Sequence, residues 1–469
     1  MTTPQPLKKN ISPFAIPDVR RFIAFRVLFN SRFYYPVFTI LFLDFGLTVA
    51  QFSILNAVWA ATIVLLEVPS GALADVIGRK RLLVFASAVM VVEVGIISFI
   101  PLLSPRVTFI VFLVNRILSG FAEAAASGAD EALAYDALTA RGNPQEWGRV
   151  LDYMTRFKAV GFIVAMTLGA AVYDPRLVQR LCDFAGFDLV VSQSVTMRFP
   201  LYLTFVLALG CLWVTLGMTN DSVTDQTRET PDNNPGSKDV SATGIQSLVQ
   251  AFRITLEGGR WIIGTWFVLW VMLFGMLFDG VIRMTTTLSS QYYRLVNIPE
   301  SLFGILGSTV AILGIFIPRL ALKIAETRPP RDALALTAFL ALVGLWTMNF
   351  FWSYLGIIPA LITSSAMYFN GFFISYYLNR ETASKNRATV LSFKGLIYNV
   401  SYGVLGVAYA LVLKTHRAAL ESVSMGVVDS VAMENQVFVD VFVCFPLVFM
   451  AGLTVMVLFS FLTFKKKSS

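Results

Sequence analysis

Histidine is nearly missing from this sequence: His416 is the only one among 469 residues. A histidine-box metal site or a Ser–His nucleophilic pair within the membrane part of the chain is therefore excluded, because each needs imidazoles that are not there. Cysteine is scarce as well. Cys182, Cys211 and Cys444 lie far apart and form no metal or redox spacing. No Gly-x-x-x-x-Gly-Lys-Ser/Thr phosphate loop occurs, which argues against ATP-driven work by this chain. Charge is also sparse. Only 14% of residues are Asp, Glu, Lys or Arg, where a soluble domain carries roughly 25%. These absences predict a protein that is not an enzyme and holds no metal or cofactor.

What fills the chain instead is apolar. Hydrophobic residues make up 56% of it and the mean hydropathy is +0.69. Apolar runs of about 20 residues recur along the whole length, and at 1.5 Å per residue each is about 30 Å long, the thickness of the bilayer hydrocarbon. The pattern predicts an all-α, multi-pass membrane protein with twelve spans. In residues 1–219 they fall near 20–43, 49–74, 82–103, 106–135, 149–173 and 200–219. In residues 261–469 they fall near 261–288, 301–323, 332–351, 353–378, 388–414 and 437–464. Residues 220–260 form a linker between these two six-helix halves. Its first part is rich in Ser, Thr, Asp and Asn. In its second part Ile245, Leu248, Val249, Phe252 and Leu256 repeat at helical spacing, which predicts an amphipathic helix on the membrane surface. Met1 to Asn10 is polar and the first apolar run is long, so an uncleaved first helix is expected rather than a secretory signal.

The cations set the orientation. With both termini inside, the inner segments carry 23 Lys and Arg residues and the outer segments 7. Cytoplasmic loops hold the excess of cations, so both termini are expected to be cytoplasmic. The net charge of +8 is thus a mark of topology, not of nucleic-acid binding.

The most specific stretch is Gly71-Ala-Leu-Ala-Asp75-Val-Ile-Gly78-Arg79-Lys80-Arg81, which joins the second and third spans. It resembles the loop between helices 2 and 3 of the major facilitator superfamily, Gly-x-Leu-Ala-Asp-Arg-x-Gly-Arg-Lys-Arg, and departs from it at Val76. A second likeness lies in the fourth span. Arg116-x-x-x-Gly120 followed by Ala122, Ala124, Ala125 and Ala126 is similar to that family's fourth-helix motif, with Glu123 in place of its second glycine. The resemblance implies an alternating-access secondary transporter with parallel halves and nested inverted repeats. A weak repeat agrees: Gly148-Arg149-Val150-Leu151 opens the fifth span and Arg387-Ala-Thr389-Val390-Leu391 the eleventh. The family's antiporter pattern in the fifth span is reduced here to Gly161 and Gly169-Ala-Ala, without its proline.

The resemblance implies that Gly71, Asp75, Gly78, Arg79, Lys80, Arg81 and Arg387 form a conformational switch, with Asp75 meeting the inner start of the eleventh span. A carboxylate is favoured at a helix N-terminus. Asp75→Asn is expected to lower transport without preventing insertion; unchanged transport rates in that variant would refute the switch.

Charged side chains at mid-membrane cost roughly 2.5–3.5 kcal/mol each on insertion scales, so they face a cavity or a partner. Four groups are candidates for proton coupling: Glu67, Arg116, Glu123 and Asp130. Burial disfavours the charged form of Glu67 and would let it exchange a proton near neutral pH; the alternative is pairing with a neighbouring cation. Spacings of four, three and seven put Arg116, Gly120, Glu123 and Asp130 on one face of one helix. There Arg116 and Glu123 either couple protons or contact substrate, or they form a structural ion pair. Candidates for the substrate cavity are Arg26, Asn30, Arg32 and Asp279. These cations either hold an anionic solute or neutralise the buried carboxylates. Phe33, Tyr34 and Tyr35 read as packing.

The expected function is proton-coupled export of amphiphilic compounds or metabolites by a monomer in a bacterial inner membrane. The alternative is proton symport or exchange of a defined anionic or sugar-like solute. A channel, or a receptor with a degenerate transporter fold, fits the paired halves and the intact loop less well.

Overall fold

A computed structural model describes residues 11–101, 104–219, 253, 259–382, 384–423 and 429–467. The side chains of Asp75, Val76 and residues 384–388 lie outside the described residues, as does the expected surface helix of the linker, Arg253 apart. The described chain is helical, without a strand among these residues. The first set of helices is α1 (Pro17–Asn30), α2 (Phe38–Asp44), α3 (Val49–Ile77), α4 (Arg79–Phe99), α5 (Pro105–Ala126), α6 (Ala129–Arg141), α7 (Trp147–Tyr173), α8 (Pro175–Phe184), α9 (Gln193–Thr196) and α10 (Phe199–Gly217). The second set is α11 (Trp266–Thr287), α12 (Ser289–Leu295), α13 (Phe303–Thr327), α14 (Pro330–Met348), α15 (Ile357–Glu381), α16 (Ser384–Val423), α17 (Ser430–Phe442) and α18 (Cys444–Lys467). Among the described residues, eleven stretches are long and apolar enough to cross a membrane. The pair α1 and α2 supplies the length of one more.

The first expected span is not continuous. It breaks after Asn30 and resumes at Phe38, with Pro36 in the gap. Proline removes a backbone donor and restrains the residue before it, so a helix cannot run unbroken through Pro36. In hydrocarbon the freed backbone groups must find partners within the protein. The Phe33 amide donates to Thr204 Oγ1 at 3.1 Å. Gly169 of α7 lies so close to the Phe33 carbonyl that an added Cβ would meet its carbon at 2.7 Å, and one at Gly161 would meet Ser31 Oγ at 2.7 Å. The two glycines of the fifth span therefore admit the broken first span.

The fourth expected span also divides. α5 ends at Ala126, Gly128 adopts a φ of +77°, and α6 starts at Ala129. A positive φ favours glycine. Arg116, Gly120 and Glu123 stay on α5, but Asp130 belongs to α6 and does not share their helical face. Gly120 has a packing reason: a Cβ there would lie 2.9 Å from the Trp59 carbonyl oxygen and from Thr62 Cβ of α3. The basic loop closes as expected at Gly78, whose φ is +91°. Between the sets, α3 packs on α16 and α7 on α13.

Candidate functional site

The break in the first span exposes Tyr35 and Pro36 to a cavity of about 280 Å³ between the two helix sets. That is the share of roughly nine liquid waters. α7 adds Phe162 and Met166. The end of α11 adds Thr285 and Thr286, and α12 adds Ser289 and Tyr293. α13 contributes Phe303 and Gly307, and α15 contributes Thr363, Ser364, Met367 and Tyr368. The wall thus combines aromatic rings with hydroxyl groups, and among the described residues no formally charged side chain lines it. Such a surface can hydrogen-bond and stack on a neutral solute, but it offers no countercharge to an ion. Tyr35, read as packing from the sequence, is a cavity residue. The hydroxyls of α11 and α15 gave no sequence signal beyond the short runs Thr285-Thr-Thr287 and Thr363-Ser-Ser365.

Behind Tyr35 lies a buried polar network. Arg32, 3% exposed, donates from Nη1 to Glu93 Oε1 at 2.6 Å and to the Tyr34 hydroxyl at 2.7 Å. Glu93 is fully buried and also accepts from Asn115 Nδ2. Asn115 Oδ1 in turn accepts from Arg116 Nε and Nη2 at 3.1 and 3.0 Å. Arg116 has no carboxylate partner among the described residues. Its charge sits over the rings of Phe38 and Phe42, 5.2 and 5.4 Å from their centroids, where ring quadrupoles favour a cation. The Arg116–Glu123 pair considered from the sequence does not form; Arg32 pairs with Glu93 instead.

The other expected site residues are placed as follows. Arg26 pairs with Asp130 and, at 2.9 Å, with Glu131. Asn30 Nδ2 donates to the Arg26 carbonyl at 2.8 Å. Asp279 pairs with Arg283 one turn on, and Arg283 Nη1 donates to Asn399 at 2.9 Å. None of Arg26, Asn30, Arg32 and Asp279 lines the 280 Å³ cavity. Glu67 and Glu123 are half-buried, and neither carboxylate has an ion-pair partner among the described residues. Ser70 Oγ bridges the Glu67 and Ala124 carbonyls at 2.9 and 2.8 Å, beside Pro69. In the basic loop, Arg79 pairs with Asp136 of α6; Gly71 is exposed and Lys80 half-buried.

The charged contacts described between the two helix sets lie at the outer ends. Asp44, at the tip of α2, accepts from Arg294 Nη1 and Nη2 at 2.8 and 2.9 Å, and from the Tyr173 hydroxyl. Arg294 Nε donates to Glu300 at 2.9 Å. Burial opposes the Arg294 charge, but hydrogen bonds and the fields of Asp44 and Glu300 outweigh it and raise its pKa. The Thr39 and Ile40 amides donate to Ser290 Oγ at 3.0 and 3.2 Å. The Val49 amide donates to Glu434 Oε1 at 2.7 Å, and the Ser301 amide to Asp174 at 3.2 Å. These contacts latch the outer ends above the cavity. Arg294→Ala leaves Asp44 and Glu300 facing each other without a cation. At exposures of 16–29% the loss is discounted to roughly 1–2 kcal/mol, or about 5–30-fold in the opening equilibrium. Labelling of a cysteine at Thr286 from the outer side should rise by that factor. Arg294→Lys should restore only part of the closure, because a point charge cannot engage both carboxylates as the planar fork does.

Comparison with known proteins extends this picture. The sequence profile of the Major Facilitator Superfamily matches residues 22–408. No curated protein matches the chain by sequence. Among solved structures, a bacterial homologue of the human lysosomal transporter Spinster, in an inward-facing and unoccupied conformation, aligns with a TM-score of 0.67. Its identity is 12%, over 95% of this chain and 96% of that one. The nucleoside transporter NupG aligns at 0.61 with 14% identity, over 94% of this chain and 99% of that one. A D-xylose–proton symporter aligns at 0.60 with 10% identity, over 94% and 96%.

Proposed function

Because the chain belongs to the Major Facilitator Superfamily of membrane transporters, we propose that its cavity carries a small uncharged solute with hydroxyl and ring faces, about the size of a sugar or nucleoside. The single observation behind this reading is the wall of hydroxyl and aromatic groups without a charged side chain. An anionic solute loses its support, since Arg26, Arg32 and Arg283 already hold carboxylates and Arg116, over Phe38 and Phe42, does not line the cavity. Export of a more lipophilic compound is the second reading, favoured by Met166, Met348 and Met367 on the same wall; methionine adapts to varied apolar shapes.

In this proposal the two halves, 1–219 and 261–469, rock about the cavity, and residues 220–260 connect them. The latched outer ends close the described state on that side, and switching requires the latch to part. Protons are the coupling ion, and Glu123 and Glu67 carry them because each lacks a fixed cation; Asp130 and Arg116 tune that exchange. The chain works as a monomer in a bacterial inner membrane. Asp75 and Arg387 serve the inner closure.

The test uses proteoliposomes with an internal pH dye and an imposed pH gradient. Nucleosides, sugars, lipophilic cations and organic anions are added one at a time. Nucleosides or sugars should move protons; a response to anions alone would overturn the reading. Glu123→Gln should keep solute exchange between the two sides yet lose at least about tenfold of gradient-driven accumulation, since a carboxamide cannot cycle a proton. Full gradient dependence in both Glu123→Gln and Glu67→Gln would remove the coupling assignment.

A further inference from the structure

We propose that the outer loop between α7 and α10 is a lipid-binding element: its apolar side chains seat in the outer leaflet, and Arg176 and Arg180 face anionic headgroups there. Both ends of the loop are membrane-crossing helices, α7 ending at Tyr173 and α10 starting at Phe199. The loop therefore lies at the level of the bilayer surface, where α8 runs.

α8 buries none of its residues against the protein. Leu177, Leu181 and Phe184, at i, i+4 and i+7, share one face of it, and Arg176, Arg180 and Asp183 share the neighbouring face. Phe184 is 92% exposed and Val190 97%, with Leu181, Phe187 and Leu189 all more than half exposed. Soluble surfaces seldom gather so many large apolar groups in one patch, and where they do the patch meets a membrane or a partner. A basic helix with Phe and Leu on the adjoining face is the composition that lies in the headgroup region. Neither Arg176 nor Arg180 has an ion-pair partner among the described residues, so both charges are free for phosphate.

The patch is held in shape rather than loosely tethered. Gln179 Nε2 donates to Asp183 Oδ1 at 2.7 Å and to the Leu189 carbonyl at 2.9 Å, and its Oε1 accepts from the Val191 amide at 2.8 Å. Gly186, at a φ of +78°, turns the chain between them. One side chain thus ties the returning segment to the helix and keeps Leu181, Phe184 and Val190 in one unit.

The same element touches the outer latch. Asp174 Oδ1 caps α8 by accepting from the Arg176 amide at 2.9 Å, while Oδ2 accepts from the Ser301 amide of the second helix set. Lipid that fixes the first turn of α8 fixes this carboxylate against Ser301. Anionic lipid therefore favours the outer-closed state. The inference does not depend on which solute is carried.

The experiment places an environment-sensitive fluorophore at Val190→Cys, with Cys182 and Cys444 replaced by serine. A second label at Ser422→Cys, on the outer end of α16, serves as the comparison. Both sites are exposed, so neither label disturbs packing. The protein is reconstituted in vesicles of phosphatidylcholine, with and without phosphatidylglycerol. Spin-labelled lipids should quench the Val190 label at least about threefold more than the Ser422 label. Phosphatidylglycerol should increase that quenching and lower outer-side labelling of a cysteine at Thr286. The Arg176→Gln/Arg180→Gln variant should lose both responses to phosphatidylglycerol, while its Val190 label stays shielded. Equal access of a water-soluble quencher to both labels would overturn the proposal. So would shielding that grows with protein density and yields Val190–Val190 crosslinks, which would make a second copy the occupant.

Discussion

Gly304→Ala should slow transport about tenfold or more and leave the cavity open to the outside. A Cβ at Gly304 would overlap the Met166 carbonyl oxygen, and would sit 2.7 Å from the Met166 carbonyl carbon and from Thr167 Cα. These are backbone atoms of α7, and they cannot swing aside. Only separation of α13 from α7 relieves the overlap, and that separation opens the outer ends. Overpacking of this kind costs about 1–3 kcal/mol, which shifts a two-state equilibrium roughly 5–150-fold. A transporter that must visit both states cannot absorb such a bias without losing rate. Gly307→Ala provides the contrast. Its Cβ would meet Met166 Cε, the end of a flexible side chain, with the sulfur 3.5 Å away, so rotation of Met166 relieves it and the effect should be mild. Uptake rates in proteoliposomes, with outer-side labelling of a cysteine at Thr286, check both variants. Wild-type rates in Gly304→Ala would show that this contact does not close the outer ends.

Glu93→Ala should be the most destabilising single change at the buried network. It strands Arg32, 3% exposed, with a full charge and, among the described residues, the Tyr34 hydroxyl, the distant Ser119 Oγ (3.5 Å) and the Phe29 ring as its remaining partners. Removing one partner of a buried ion pair costs about 3–5 kcal/mol, because the remaining charge stays desolvated. Asn115 loses an acceptor at the same time, and through it the anchor that aims Arg116 at Phe38 and Phe42 is loosened. Glu93→Gln keeps the volume and one acceptor and should cost less. Arg32→Met with Glu93→Leu removes both charges and should recover much of the loss, although transport need not return with it. Thermal unfolding in detergent separates these cases. A melting temperature for Glu93→Ala equal to that of the parent would show that the pair is not needed for the fold.

The helical, membrane-crossing character of the chain was legible because it is a local property. In hydrocarbon each segment must satisfy its own backbone, so a run of about 20 apolar residues already commits to a helix. The cations beside each run commit it to a direction. Gly78 was legible for the same reason: the turn it makes involves only its neighbours.

Tertiary structure alone decided which charges meet and what faces the cavity. Arg32 finds Glu93 61 residues away, Arg26 finds Asp130 104 away, and Asp44 finds Arg294 250 away. Those pairings depend on the rotation and depth of each helix, which apolar periodicity leaves free when most faces of a helix are apolar. Close contacts set them: Gly161 and Gly169 let α7 reach the broken first span, and Gly304 lets α13 reach α7. The break itself turned Tyr35 from a packing residue into a cavity wall. Hydroxyls scattered over α11 and α15 became one surface only when those helices were set side by side. The sequence by itself thus determined a helical membrane transporter, because each segment answers to the bilayer alone. The character of its cavity had to wait for the packing, because a cavity belongs to no single segment.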